Sequence, residues 1–263
     1  MCKATKRILY DVPATISLMN ETDGVGTLHS QVLDALGTSI VDGQLTPDSS
    51  LTIDDLEQRY SASRSVVRES IRVLESMGMV RARRRVGVEI LPSSEWSSFD
   101  ARLIHWRLAS GNRAEQLQNL VELRRAVEPE AARLCAMRIG PDAAGELVGR
   151  AARVWAAGTS GNMEDFVSRD IEFHRQIMTD SGNEMFGRLS SLIGEVISGR
   201  AAYGLMPHSH SPYGLQLHLD VANAIQSRNG AGAAQALLEI IDLTQEEIQK
   251  ISEGEIEGNE THA

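Results

Sequence analysis

Asp170 and His174 stand four residues apart in "SRDIEFHRQI", and His218 follows in "LQLHLDVANAI". On a helix, residues i and i+4 share one face, so this carboxylate and imidazole point the same way. A carboxylate and two imidazoles form a donor set for a divalent metal, or for the polar end of a small acid. The same spacing also suits a surface ion pair or a histidine satisfied within a core, and spacing alone leaves these readings open. A second constellation is "YSASRSVVRESIRVLESMGMVRARRRVGVEI", residues 60–90. From Arg59 to Arg85 there are eight arginines, at 59, 64, 68, 72, 81, 83, 84 and 85, against two acids, Glu69 and Glu75. The whole chain carries 36 acidic and 26 basic residues, a formal charge of −10, so any polyanion contact has to be local.

The elements that must position these residues fall into two groups. Residues 1–26 show no sustained period and read as a mobile arm. Residues 27–91 read as a winged helix-turn-helix. Leu28, Val32, Leu36 and Ile40, each four apart, predict a first helix ending at Gly43. Thr52-x-x-Asp55 predicts a capping box opening a second. Ser63 is placed to cap a third, running to Met77 and stopping at Gly78. Val80, a turn over Arg83 to Gly87, then Val88 and Ile90 predict a β-ribbon. "PSSEWSS", 92–98, reads as a linker. Residues 99–252 read as an all-α bundle, with helices near 99–109, 114–138, 142–157, 163–180, 184–203, 213–227 and 231–252. Pro129 is expected to kink or split the second of these. The tail, 253–263, is acidic and reads as disordered. The fold class is therefore mainly α: a winged helix followed by a helical bundle.

Within the third helix, Val67, Ile71 and Leu74 form the inward face, and Arg64, Arg68 and Arg72 recur on another. Like charges at that spacing cost a helix roughly 0.2–0.5 kcal/mol per pair, a penalty that a polyanion lying along the stripe reverses. Arg72 is three residues from both Glu69 and Glu75, so it reads as internally paired. Arg64, Arg68 and Ser65 are then the freer reach into a DNA groove. Arg83, Arg84 and Arg85 sit at the ribbon tip, where Gly87 allows backbone to approach phosphate closely. A solvated arginine face is the bland alternative. A capped, basic second helix of a helix-turn-helix followed by a basic wing favours double-stranded DNA.

The order Leu45-x-Pro47, Leu51-x4-Leu56, Ser63-Arg64-Ser65-x-Val67-Arg68-Glu69-Ser70, Leu74-Glu75-x2-Gly78-Met79-Val80 and Gly87-Val88 resembles the winged helix of GntR-type bacterial regulators. The resemblance implies that Ser63, Arg64, Ser65 and Arg68 touch DNA, with Gly87 at the wing tip. Asp48 follows Pro47 where glycine is usual, Ser61-Ala62 replaces Gly-Val, and Ile53-Asp54 replaces Glu-Arg, removing one arginine contact. The runs 121–136, 170–186, 218–229 and 233–240 resemble the sensor domain of the FadR-type (FCD) branch. That implies a metal site for zinc, nickel or manganese at Asp170, His174 and His218, and places Arg124 facing a carboxylate effector. Arg124 also reads as a surface pair with Glu122 or Glu128. The fourth family ligand position falls on Ile240, which cannot ligate. This leaves an open three-ligand site, one completed from the loop by His208 or His210, or a metal-free polar pocket.

The combined expectation is a cytoplasmic homodimeric repressor, not an enzyme, controlled by a small carboxylate bound at Arg124, Asp170, His174 and His218. "FDARLIHWRLASG", 99–111, resembles relatives responding to sugar acids such as gluconate or galactonate, with lactate as a competitor. A metal-dependent hydrolase using Asp170, His174 and His218, and an architectural DNA-binding dimer, are the alternatives. No apolar run reaches the length of a transmembrane helix and no secretory signal is visible. Cys2 and Cys135 share no ligand spacing, and Cys135 reads as core.

Overall fold

In the computed structural model, which describes residues 28–47, 51–83, 87–111 and 113–254, the chain divides between Ser97 and Ser98 into two units. The first holds α1 (Leu28–Val41), α2 (Ile53–Tyr60), α3 (Arg64–Ser76), β1 (Val80–Arg83) and β2 (Gly87–Ile90). α1 buries Val32, Leu33, Leu36 and Ile40, the four-residue stripe expected of a helix with one apolar face. α2 opens with the capping box: Thr52 Oγ1 accepts from Asp55 N at 3.1 Å, and Thr52 N donates to Asp55 Oδ2 at 3.2 Å. It ends at Ser61 in the left-handed region, φ 48°, where a glycine would carry no steric penalty. α3 buries Val67, Ser70, Ile71 and Leu74.

The antiparallel ribbon pairs Val80 with Ile90 and Arg83 with Gly87. A third segment joins it, Val88 N donating to Leu51 O at 2.7 Å. Gly87, at φ +114°, is held close to this junction: a Cβ there would stand 2.3 Å from Leu51 O. The intimate approach that this glycine permits is therefore to its own chain. Gly78 is a parallel case, with φ +71° and Glu95 O at 2.3 Å from a Cβ. The stretch read as a linker is structured up to Ser97. A 3-10 turn spans Ser93–Glu95, Trp96 Nε1 donates to Leu91 O, and Ser97 N donates to Met77 O.

The second unit is all-helical among the described residues: α4 (Ala101–Ala109), α5 (Arg113–Arg138), α6 (Pro141–Ser160), α7 (Met163–Asp180), α8 (Glu184–Ala202), α9 (Pro212–Gln226) and α10 (Gly230–Ser252). α5 packs on α10 and α7, α6 on α7 and α9, and α7 on α8. The core between them is built from small and branched residues, including Ala132, Cys135, Leu147, Phe173, Val221 and Leu237. α5 runs unbroken through Pro129, so the expected split does not occur. The lost amide hydrogen bond is outweighed by the helix burying Ala131, Ala132, Cys135 and Ala136 immediately after it. None of the described helices is long and apolar enough to cross a membrane.

Candidate functional site

α7 buries Phe166, Asp170, Phe173, His174, Ile177 and Met178. The polar pair thus interrupts an otherwise apolar stripe at i, i+4, i+7, i+8, i+11 and i+12. His218 comes from the buried face of α9. Three ligand atoms, one each from Asp170, His174 and His218, lie within 4.8 Å of one another. Asp170 Oδ1 is 3.0 Å from His218 Nε2 and 3.4 Å from His174 Nε2. Ligands about 2.1 Å from a tetrahedral ion stand about 3.4 Å apart.

The outer nitrogens fix the rings. His218 Nδ1 donates to Gly214 O at 2.9 Å, and His174 Nδ1 donates to Glu128 Oε2 at 2.5 Å. Both Nε2 atoms therefore turn toward Asp170, and His174 Nε2 has no hydrogen-bond partner. A histidine whose outer N–H is held by a carboxylate or carbonyl has the arrangement found behind metal-bound imidazole. The donor set fits a divalent ion: two convergent imidazole nitrogens, a carboxylate and an orphaned Nε2.

Glu128 is the residue that sequence reasoning underplayed. It is buried, and its Oε1 accepts from Arg124 Nε at 2.5 Å. Burial opposes its ionisation, but Arg124 and then His174 outweigh that and hold its carboxyl down at about 2. Burial likewise opposes ionisation of Asp170, yet His174 and His218 hold it well below the usual carboxylate range. His174 is raised to about 9, since Glu128 and Asp170 outweigh its burial. The pairing of Arg124 with Glu128 is thus a core pair, both residues 1% exposed, rather than a surface one. The signal was present in α5: Leu117, Leu120, Val121, Arg124, Glu128, Ala131, Ala132 and Cys135 form one buried stripe, and charges on such a stripe are paired.

A cavity of about 40 Å³ adjoins these groups, its wall including Arg124, Asp170, His218, Arg200, His210 and Ile240. That is room for about three waters. Ile240, 6% exposed, makes its part of the wall hydrocarbon. His210 lines the cavity, and it is not one of the three converging residues.

In the first unit a separate groove of about 560 Å³ is lined by Asp54, Arg64, Arg68 and Arg72 on the helices and by Arg83 and Gly87 on the ribbon. Helix and ribbon residues named from sequence thus share one concave surface. Arg84 and Arg85 lie outside the described residues. Ser63 is the N-cap of α3 by position, with no side-chain cap hydrogen bond. Its Oγ instead sits 3.0 Å from Ser65 Oγ, so the first amides of α3 keep their anion-binding capacity.

The charge pairing differs from the expectation in one respect. Arg64 is not free: Asp54 Oδ1 lies at 2.6 Å and Glu57 Oε1 at 3.5 Å. Asp54, in the first turn of α2, is responsible. Arg72 pairs with Glu69 at 3.1 Å, whereas Glu75 accepts from Ala82 N at 2.6 Å. Arg81 and Arg83 meet Glu89. Among the described residues Arg68 is the one arginine of α3 without an ion pair.

A winged helix with a basic groove, followed by a helical unit with a buried polar centre, is the arrangement of a DNA-binding transcriptional regulator. The family model described as "Bacterial regulatory proteins, gntR family" matches residues 28–90, and that described as "FCD domain" matches 119–243. The chain belongs to the gntR family of bacterial regulators, carries an FCD domain, and is not an enzyme. It is 25% identical over 238 residues to the galactonate operon transcriptional repressor of Escherichia coli, covering 89% of this chain and 99% of that protein. It is 28% identical over 211 residues to the regulator LutR of Bacillus subtilis, covering 76% of this chain and 91% of that one. The solved structure of Lar, described as controlling expression of the Listeria monocytogenes agr system, matches with TM-score 0.53. At 15% identity over 87% of this chain and 100% of Lar, that likeness concerns the fold alone.

Proposed function

We propose that this regulator is a homodimeric repressor released from, or fixed on, its operator by a small hydroxylated carboxylate bound at the buried centre of the helical unit. The observation that carries the reading is the convergence of Asp170, His174 and His218 beside a cavity lined by Arg124, Asp170 and His218, with the buried Glu128 bridging Arg124 and His174. A divalent ion, zinc, nickel or manganese, would be held by Asp170, His174 and His218. It would supply the positive charge on which a carboxylate and its neighbouring hydroxyl dock. Arg124, already paired, orients Glu128 and through it His174, and presents the cavity with the edge of a cation. The relative that represses a galactonate operon makes a sugar acid the first candidate. At about 40 Å³ the cavity is smaller than such an acid. Binding must therefore move its walls, and a ligand that repacks a helical unit couples its site to whatever that unit is joined to.

On DNA, each subunit would lay residues 63–76 in the major groove of one half of a pseudo-palindrome, with the wing on neighbouring phosphates. The test is titration of an operator fragment with galactonate, gluconate and lactate, beside elemental analysis of the wild type and Asp170→Ala. One metal equivalent lost in the variant, with at least about a fivefold change in operator affinity on adding an acid, is the expected result. No acid shifting the affinity by that much removes the sensor reading, and metal retained by Asp170→Ala removes the centre.

A further inference from the structure

Arg200 is 5% exposed and lines the same cavity as Asp170 and His218. It projects from α8, an element from which sequence reasoning drew no functional residue. Its Nη2 donates to Glu247 Oε2 at 2.9 Å and its Nη1 to Thr244 Oγ1 at 3.4 Å, while its buried Nε has no acceptor. A buried N–H without a partner is costly, and here it belongs to a side chain on the wall of a polar cavity.

A second orphan stands in that wall. The His210 ring stacks on Phe166, with centroids 3.6 Å apart, and its Nε2 is buried with no partner. Burial lowers its pKa to about 4, so the ring is neutral at pH 7. Arg200 and His210 line the same cavity as Asp170 and His218. The two unsatisfied nitrogens therefore neighbour the carboxylate-and-imidazole centre, on other elements.

We infer that Arg200 and His210 form a second pole of the cavity, one that hydrogen-bonds a neutral oxygen, a hydroxyl or carbonyl, on the distal part of the bound acid. This rests on the reading that the acid's carboxylate is held at the Asp170, His174 and His218 centre. The chemistry of the pole is set by charge. Arg200 is already balanced by Glu247, so no second anion is called for. What the pole lacks is hydrogen-bond partners. A ligand with its hydroxyls along a chain satisfies both ends, whereas a three-carbon hydroxy acid satisfies one. The structure thus selects long polyhydroxylated monocarboxylates over dicarboxylates and over short hydroxy acids.

The experiment is calorimetric titration of the full-length protein with gluconate and galactonate, and with glycerate and lactate as short acids. Two shape-conserving variants accompany it. Arg200→Lys keeps the charge facing Glu247 but removes Nε, and His210→Phe keeps the stack on Phe166 but removes the nitrogens. The wild type is expected to prefer the six-carbon acids. Each variant should lose roughly tenfold or more on them while its affinity for glycerate and lactate stays within about twofold. Equal losses for long and short acids, or no loss for either, overturn the second pole while leaving a carboxylate site intact. Failure of all four acids to bind the wild type overturns the underlying carboxylate reading, and the pole with it. Circular dichroism of both variants guards against misfolding.

Discussion

Replacing Glu128 by Gln removes one negative charge from the centre of the helical unit with little change of shape. In the folded protein its carboxyl titrates at about 2, against an ordinary value of 4.5. At about 1.4 kcal/mol per unit, the ionised form contributes about 3 kcal/mol to stability. The same magnitude follows from breaking a buried ion pair, which costs about 3–5 kcal/mol because Arg124 is left without its counter-charge. The sign is that of a depressed carboxylate. The contribution is complete above pH 4.5 and is lost as the pH falls toward 2. Urea unfolding of chelator-treated protein, followed by tryptophan fluorescence, reads this directly, since Trp106 and Trp155 both lie in the helical unit. At pH 7, Glu128→Gln should be about 3 kcal/mol less stable than the wild type, and at pH 3 less than half of that gap should remain. A gap under about 1 kcal/mol at pH 7, or one of equal size at both pH values, refutes the assignment of Glu128 as the charged keystone of the site.

Arg68→Ala should weaken binding to the preferred operator by about 1–3 kcal/mol and affect unrelated DNA less. Asp54→Asn, by freeing Arg64 from its partner, should strengthen binding to all sequences and steepen the salt dependence by about one charge; gel-shift or anisotropy titrations at two salt concentrations measure both. Ser61→Gly should raise the thermal stability of the winged helix by about 1 kcal/mol, as the left-handed position no longer carries a Cβ. Gly87→Ala, which drives a Cβ against Leu51 O, should lower it by about 1–3 kcal/mol, with calorimetry reading each. The Cys135 thiol, buried and pushed up to about 12, should remain unreactive to a thiol-specific chromogenic reagent until urea unfolds the helical unit; reaction at the native rate of an exposed thiol contradicts that burial.

The elements that announce themselves by period or cap were readable from residue order. The Thr52–Asp55 box, the α1 stripe and the ribbon are local patterns with local causes. Asp170 and His174 were visible because helical spacing alone brings them together. What was not legible depends on which helix lies against which. Arg200 meets Glu247 across 47 positions, and Glu128 meets His174 across 46. Neither pairing leaves a periodic trace. The Arg64–Asp54 pair was missed for a related reason: the turn between α2 and α3 decides which acids face the recognition helix. At Pro129 the helix is not split, since the packing of α5 after it outweighs the local rule on that point.

The bond from Val88 N to Leu51 O ties the ribbon to the residue just ahead of α2's cap. With Gly87 pressed against the same carbonyl, the wing has little freedom to swing relative to the helices that precede it. DNA that enters the groove between them is therefore expected to adapt to its width. The cost of narrowing or bending a site to that width varies with base-step stiffness. Operators are therefore expected to differ in affinity through base pairs that no side chain touches, with flexible pyrimidine–purine steps favoured at the bends.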